Sequence, residues 1–211
     1  MISPIRVALP KGRNLEPALA AFRAAGLPLG GLDPNGRSLR TRLPEDAVEV
    51  LSLKDWDLPV YVEHGVADCG IVGSDVLGEV GGDLLVPVRL RAGRSRLSLI
   101  GLAPSLPPAG GQVRLATKYP NTARRVVAAR PWGAEIVTLS GSIELAPLLH
   151  LAELALDIVQ TGRTLAENGL VEIETLAEVA ACFVVNRASF QRHRARLNDW
   201  IGRLEAAGVA A

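Results

Sequence analysis

The chain has 211 residues, 48% hydrophobic, 21% charged and 4% aromatic, with Lys+Arg 23 against Asp+Glu 22. That length holds one large or two small globular domains with a buried core, and a net charge of +1 gives no basic surface for nucleic acid or a membrane. So few aromatics also leave no stacking platform for single-stranded nucleic acid. Cys69 and Cys182 sit in apolar contexts outside any CxxC pair and read as reduced core thiols of a cytoplasmic protein. The N-terminus MISPIRVALPKGR has no apolar signal-peptide core, and no stretch is long and apolar enough to span a membrane.

Taken in chain order, strand and helix signals alternate. IRVAL (5–9) predicts a strand, and 14–26 a helix with Leu15, Ala18, Leu19 and Phe22 on one face and Gly26 at its end. VEVLSL (48–53) is a strand; DLPVYVEHG (57–65) is a helix that Asp57 can cap and that tolerates an early Pro59. DCGIV (68–72) is a buried strand and SDVLGEV (74–80) a short helix, followed by strands at 83–90 and 96–103. The pattern restarts with strand 113–117, helix 121–130, strand 135–139, short helix 142–149 and the strand LALDIV. Two strands over 171–185 and an amphipathic helix from Ala188 to Ala207 close the chain. Such alternation predicts α/β architecture with largely parallel sheets, either one doubly wound sheet or two of half size. The Pro- and Gly-rich LAPSLPPAGGQ (102–112) is a turn or loop.

Ligands in such folds sit beyond the carboxyl ends of strands, and several polar clusters fall there. LDIVQTGRTLAENG (156–169) carries Asp157 on an apolar strand and then turns at Thr161-Gly162-Arg163-Thr164 into a helix. A helix start has unpaired N–H groups and the positive end of the dipole, so this turn is either an anion site or a plain Thr161 cap. ALPKGR sets Lys11, Gly12 and Arg13 after the first strand, as a pyrophosphate cradle or a solvated turn. GVADCGIVGSDVLGE combines Gly65, Gly70 and Gly73 with Asp68, Asp75 and Glu79, without the spacing of a dinucleotide fingerprint. Glu144 stands in the otherwise apolar SGSIELAP, as a site acid or an exposed one. The three histidines are scattered, and no HExxH, EF-hand loop, GxSxG or Walker A sequence occurs, so a metal held by protein ligands alone is not expected.

Together ALPKGR, DLPVYVEHGVADCGIVGSDVLGE, LATKYPNTAR, GSIELAP and LDIVQTGRTLAENGL resemble ATP phosphoribosyltransferases of the short form, in the family's order and at about its spacing. The resemblance implies an α/β, two-lobed periplasmic-binding-protein-like fold with a cleft between the lobes. Lobe one would be 1–90 plus 178–211, on the nucleotide side, and lobe two 91–177, with the phosphoribosyl pyrophosphate cradle. The implied reaction joins N1 of ATP to C1 of phosphoribosyl pyrophosphate and releases pyrophosphate, the first step of histidine biosynthesis, with Mg2+ carried mainly by substrate phosphates. By motif, Thr161, Gly162, Arg163 and Thr164 would cradle the ribose 5-phosphate, and Glu144 and Asp157 would hold the ribose hydroxyls. Lys11 and Arg13 would face pyrophosphate or the ATP phosphates, while Asp68, Gly70, Gly73 and Asp75 would shape the nucleotide side. Lys54 replaces an arginine common before DLP and loses its bidentate geometry. His150-Leu151-Ala152-Glu153 stands where the family usually has Gly-Leu-Ala-Asp. The implied partners are a regulatory subunit resembling histidyl-tRNA synthetase and a second copy of the chain, because the C-terminal histidine-sensing domain of long members is not expected here. The rival readings are a non-catalytic two-lobe small-molecule binding protein and the sensing domain of a transcription regulator. Neither explains TGRTL with Asp157 upstream.

Overall fold

The computed structural model describes residues 3–11, 15–32, 38–43, 47–91 and 94–208, which divide into two units, Met1–Gly93 with Ala180–Ala211 and Arg94–Val179. In the first, strands β1 (Ile5–Pro10), β2 (Arg40–Leu43), β3 (Val48–Leu53), β4 (Cys69–Gly73), β5 (Leu84–Arg89) and β11 (Ala181–Asn186) form one sheet in the order β2-β3-β1-β4-β11-β5. In the second, β6 (Ser95–Gly101), β7 (Gln112–Thr117), β8 (Gly133–Thr138), β9 (Leu154–Val159) and β10 (Val171–Val179) are ordered β10-β6-β9-β7-β8.

The alternation thus resolves into two smaller sheets, and both are mixed where largely parallel ones were expected. Strand β1 is parallel to β3 and β4, and β7 is parallel to β8 and β9. The remaining pairs, β2 with β3, β11 with β4 and β5, and β6 with β9 and β10, are antiparallel. The antiparallel members include β5, β6, β10 and β11, the strands on either side of the two passages between units. A chain that leaves and re-enters a sheet is not bound to the helical crossover that parallel neighbours require.

Apolar side chains cover both faces of the first sheet. On one, α1 (Leu15–Ala24) and α8 (Arg194–Ala206) contribute Leu19, Phe22, Leu197, Trp200 and Leu204 to a core with Phe183. Phe22 meets Phe183 and Trp200 edge-on, with ring centroids 6.3 and 6.4 Å apart, the arrangement that ring quadrupoles favour. On the other, α2 (Leu58–Glu63) and α3 (Ser74–Val80) bury Leu58, Val62 and Val76 against Ala8, Val72 and Val184. The second sheet packs Ile100, Ala116, Ala155 and Val159 against Ile143, Ala146 and Leu165 of α5 (Leu145–Leu148), its lead-in and α6 (Arg163–Glu167). It also carries α4 (Pro120–Ala128) between β7 and β8.

Two features depart from the periodicity. Strand β2 was not predicted: RTRL has no apolar alternation, and it pairs through polar chemistry, Arg40 and Arg42 both binding the nearly buried Glu49. The single helix expected from 188 to 207 breaks at His193 into α7 (Arg187–Arg192) and α8. The two pieces answer to different anchors. Asn186 caps α7 by accepting from Ser189 N at 2.9 Å, and Ser189 Oγ donates to Asp68 at 2.6 Å, whereas α8 is held by its apolar stripe in the core.

An acid network ties β6 to β10. Glu172 accepts from Arg96 Nε and Nη2 at 2.9 and 2.7 Å and from the hydroxyls of Ser98 and Thr175, both at 2.7 Å. The Arg96 guanidinium holds the Glu172 carboxyl at about 2, far below its ordinary 4.5. A group depressed on folding stabilises the fold above its unfolded value and loses that contribution as pH falls towards its folded one. Glu172→Gln is expected to cost about 1–2 kcal/mol at neutral pH after solvent screening, and to flatten the fall in stability from pH 4.5 to 2. Urea titrations across that range measure it, and an unchanged acid limb would show that the network contributes nothing.

Candidate active site

Parallel strands gather the candidate residues by ending at one edge of each sheet. In the first unit, register pairs Pro10 with Leu53 and Ala8 with Gly70, so the residues after β1, β3 and β4 emerge together. Lys11 is exposed there, its N–H bonded to Leu53 O at 2.9 Å, and Lys54 is exposed one step beyond β3. Gly73 ends β4 as the N-cap of α3. A Cβ on Gly73 would stand 2.1 Å from Oδ1 of Asp75, so that carboxylate lies folded over the glycine backbone. Gly12 and Arg13, assigned to the same turn, lie outside the described residues.

Two residues of this group do not join that edge. Asp68 precedes β4 and lies beside the start of β1, at the opposite edge of the sheet from Lys11. It is 1% exposed, with Oδ2 accepting from Arg6 N at 2.8 Å and Oδ1 from Ser189 Oγ at 2.6 Å. Both oxygens are occupied, and the carboxylate pins β1 and α7 together. Gly70 is buried in mid-strand, where a Cβ would meet Ala8 O at 2.6 Å and Leu58 Cδ2 at 3.0 Å. Sequence spacing could not separate the two ends of a five-residue strand; strand direction does.

In the second unit the same edge gathers the residues after β7 and β9. Asp157 is the fourth residue of β9, on the sheet face that also carries Ala155 and Val159. Its Oδ1 is shut from solvent and makes no hydrogen bond; Lys118 Nζ lies 3.3 Å away. Ile143 is buried in the same apolar cluster as Ala155 and Val159, which brings the half-buried Glu144, N-cap of α5, to that face. Beyond β9, Gly162 is the N-cap of α6 with φ 76° and ψ 0°, a left-handed conformation that suits glycine and strains other residues. The cap is therefore Gly162 rather than Thr161. Thr161 Oγ1 instead accepts from Arg163 N at 3.3 Å, and both threonines are exposed. The Arg163 guanidinium runs along the helix to Glu167, at 2.6 Å, so its charge is compensated locally.

Sequence reading missed Lys118. It follows β7 directly, and its only signal was its place in LATKYPNTAR. Thr117 fixes the turn, its buried hydroxyl donating to Leu156 O at 2.8 Å and accepting from Tyr119 N at 2.9 Å.

The departures at His150 and Glu153 fall at the amino end of β9, away from Asp157. His150 N bonds Pro147 O and Leu151 N bonds Ala146 O, at 3.3 and 2.9 Å, closing α5 with paired Schellman bonds. His150 sits at the left-handed position of that motif, φ 56°, which explains the glycine expected there. Arg114 clamps the turn, with Nη2 donating to His150 O at 3.2 Å and to Glu153 Oε1 at 2.6 Å. That guanidinium holds the Glu153 carboxyl at about 2. His150→Gly is expected to raise stability by about 0.5–1 kcal/mol, relief of left-handed strain exceeding the entropy glycine adds to the unfolded chain. Urea unfolding of the intact chain tests it, and a loss of stability would mean that imidazole contacts outweigh the strain.

Among the described residues no group of three or more His, Cys, Asp or Glu is placed to hold a metal ion, and no helix is long and apolar enough to cross a membrane. Cys69 and Cys182 are free and buried, and burial pushes both thiols up, Cys69 well above its ordinary value.

The profile of the ATP phosphoribosyltransferase family matches residues 54–206. An ATP phosphoribosyltransferase of Deinococcus deserti is 47% identical over 200 residues, covering 95% of this chain and 91% of that protein. Its counterpart in Thermus thermophilus is 45% identical over 203 residues, covering 95% of each. The chain also superposes on one in the ATP phosphoribosyl transferase (HisG:HisZ) complex from Thermotoga maritima, with a TM-score of 0.81, 32% identity and coverage of 96% and 98%. A family profile over residues 54–206 and relatives at 45–47% identity over 95% of the chain leave one conclusion: this chain belongs to the ATP phosphoribosyltransferases.

Proposed function

We propose that the chain transfers the phosphoribosyl group of phosphoribosyl pyrophosphate to N1 of ATP, the entry step of histidine biosynthesis. The observation that carries this reading is Asp157 in the carboxyl half of β9, followed by a Gly162 turn whose two exposed threonines flank a left-handed cap. Thr161 to Thr164 offer N–H and hydroxyl donors to the 5-phosphate at a helix start, while Glu144 and Asp157 hold the ribose hydroxyls. Lys11, Arg13 and Lys54 serve the phosphates of pyrophosphate or ATP, and Gly73 with Asp75 shapes the nucleotide side.

The chemistry is substitution at an anomeric carbon. The N1 lone pair forms the new bond to C1 as the C1–O bond breaks, and that bond's electron pair leaves with pyrophosphate. N1 needs no base before attack, so the chain's work is to hold N1 in line with C1 and to favour positive charge on the ribose. A divalent ion, for which the described residues offer no cluster of ligands, would be carried on the substrates' own phosphates, the usual arrangement for magnesium. Reduced, buried thiols support a cytoplasmic setting.

For partners we propose a regulatory subunit resembling histidyl-tRNA synthetase and a second copy of the chain. The support is that the Thermotoga maritima chain, matched over 98% of its length, belongs to a HisG:HisZ complex, an assembly with a second kind of subunit. The test is pyrophosphate release from ATP and phosphoribosyl pyrophosphate, with and without such a subunit. Release that needs both substrates upholds the reading. Binding of either without turnover under any of these conditions would favour a non-catalytic binding protein.

A further inference from the structure

Asp157 carries an anomaly that the family assignment leaves unused. One carboxylate oxygen, Oδ1, is closed to solvent and makes no hydrogen bond, while the residue as a whole retains 17% side-chain exposure. An oxygen in that position loses its water without a replacement, unless a charge stands close by. The Lys118 ammonium does, at 3.3 Å, on a side chain only 22% exposed.

Lys118 is held by more than this contact. Its ammonium lies 5.1 Å from the centre of the Tyr119 ring, and Tyr119 is 1% exposed. The Thr117 hydroxyl bonds β9 at Leu156 O and the backbone at Tyr119 N, bracketing Lys118 on both sides in sequence and tying it to the strand that bears Asp157. The backbone, the ring and the acid thus set the position of one ammonium.

We propose that Lys118 is a positioning residue for the phosphoribosyl substrate: its ammonium caps Oδ1 of Asp157 and thereby presents Oδ2, the oxygen with solvent access, to the ribose hydroxyls. This rests on the proposed role of Asp157. Capping one oxygen fixes the carboxylate plane, so the other is pre-oriented and binding a hydroxyl costs little reorganisation. Removing the ammonium frees the carboxylate to turn and exposes Oδ1 as a competing acceptor. The consequence falls on the ribose substrate and spares ATP.

The experiment compares native chain, Lys118→Met, Lys118→Arg, Asp157→Asn and the Lys118→Met/Asp157→Asn double variant, all with the regulatory subunit present. Lys118→Met is expected to lower kcat/KM for phosphoribosyl pyrophosphate at least tenfold and to leave KM for ATP within about twofold. Lys118→Arg, which keeps a cation in reach, recovers most of the loss. The double variant is no worse than Asp157→Asn alone, because Lys118 acts through that carboxylate. Normal kinetics in Lys118→Met, or losses that simply add in the double variant, overturn the proposal. If Lys118→Met does not fold, Lys118→Gln, which also removes the ammonium, takes its place alone and with Asp157→Asn, under the same criteria. Failure of the underlying reading looks different: the native chain then releases no pyrophosphate, or Asp157→Asn matches it.

Discussion

Gly70→Ala is expected to cost the fold about 3 kcal/mol, the upper end of the range for overpacking a core, and to leave the affinity for ATP of the folded fraction unchanged. Gly70 lies opposite Ala8 in the parallel β1–β4 pair. An added Cβ would stand 2.6 Å from the Ala8 carbonyl oxygen, 3.0 Å from Ala8 Cβ and 3.0 Å from Leu58 Cδ2. The Leu58 methyl can shift; a backbone carbonyl inside a sheet cannot shift without disturbing the strand on its other side. Strand β1 is flanked by β3 and β4, so the displacement spreads through the middle of the sheet. Urea unfolding with the native slope and a lower midpoint is the expected record. Native stability combined with weakened ATP binding would return Gly70 to the nucleotide site.

That case shows what a linear sequence conveys and what it conceals. VEVLSL forms β3 over Val48–Leu53, and SDVLGEV forms α3 over Ser74–Val80, because apolar spacing is written within a few neighbouring residues, although the α3 cap is Gly73, without a side-chain capping bond, where Ser74 or Asp75 was expected. Which end of a strand a polar residue occupies depends on the strand's partners. Asp68 and Asp75 look equivalent in ADCGIVGSD, yet β4 separates them, one pinned between Arg6 and Ser189 and the other over Gly73. The partner that claims Asp68 lies 121 residues away, and no local pattern announces it. Lys118 was hidden for the same reason, since its significance comes from Asp157 on another strand. His150 is the reverse case: a glycine expected at that position already implied a left-handed turn, and the structure supplies it at φ 56°.

The largest effect on catalysis is expected from Asp157→Asn, with kcat falling by about 10²–10³-fold and KM for ATP changing by less than about threefold. Substitution at C1 builds positive charge on the ribose as the pyrophosphate bond lengthens. A carboxylate held beside the ribose is worth more in that state than in the ground state, so its charge appears in turnover and little in binding. Asparagine keeps the shape and one acceptor oxygen but has no charge, and its amide nitrogen presents a donor where Lys118 already points one at 3.3 Å. Two facing donors repel, which turns the amide and compounds the loss. The stability cost should be the smaller effect, confined to the lost ion pair with Lys118, because Oδ1 makes no hydrogen bond that the variant could break. Glu144→Gln tests the same idea at the start of α5, where the side chain makes no capping bond, and a smaller fall of the same kind is expected. Steady-state kinetics in both substrates, with urea unfolding of each variant, separate the outcomes. Equal losses in turnover and stability would make Asp157 structural, and full turnover in Asp157→Asn would remove the carboxylate from the reaction altogether.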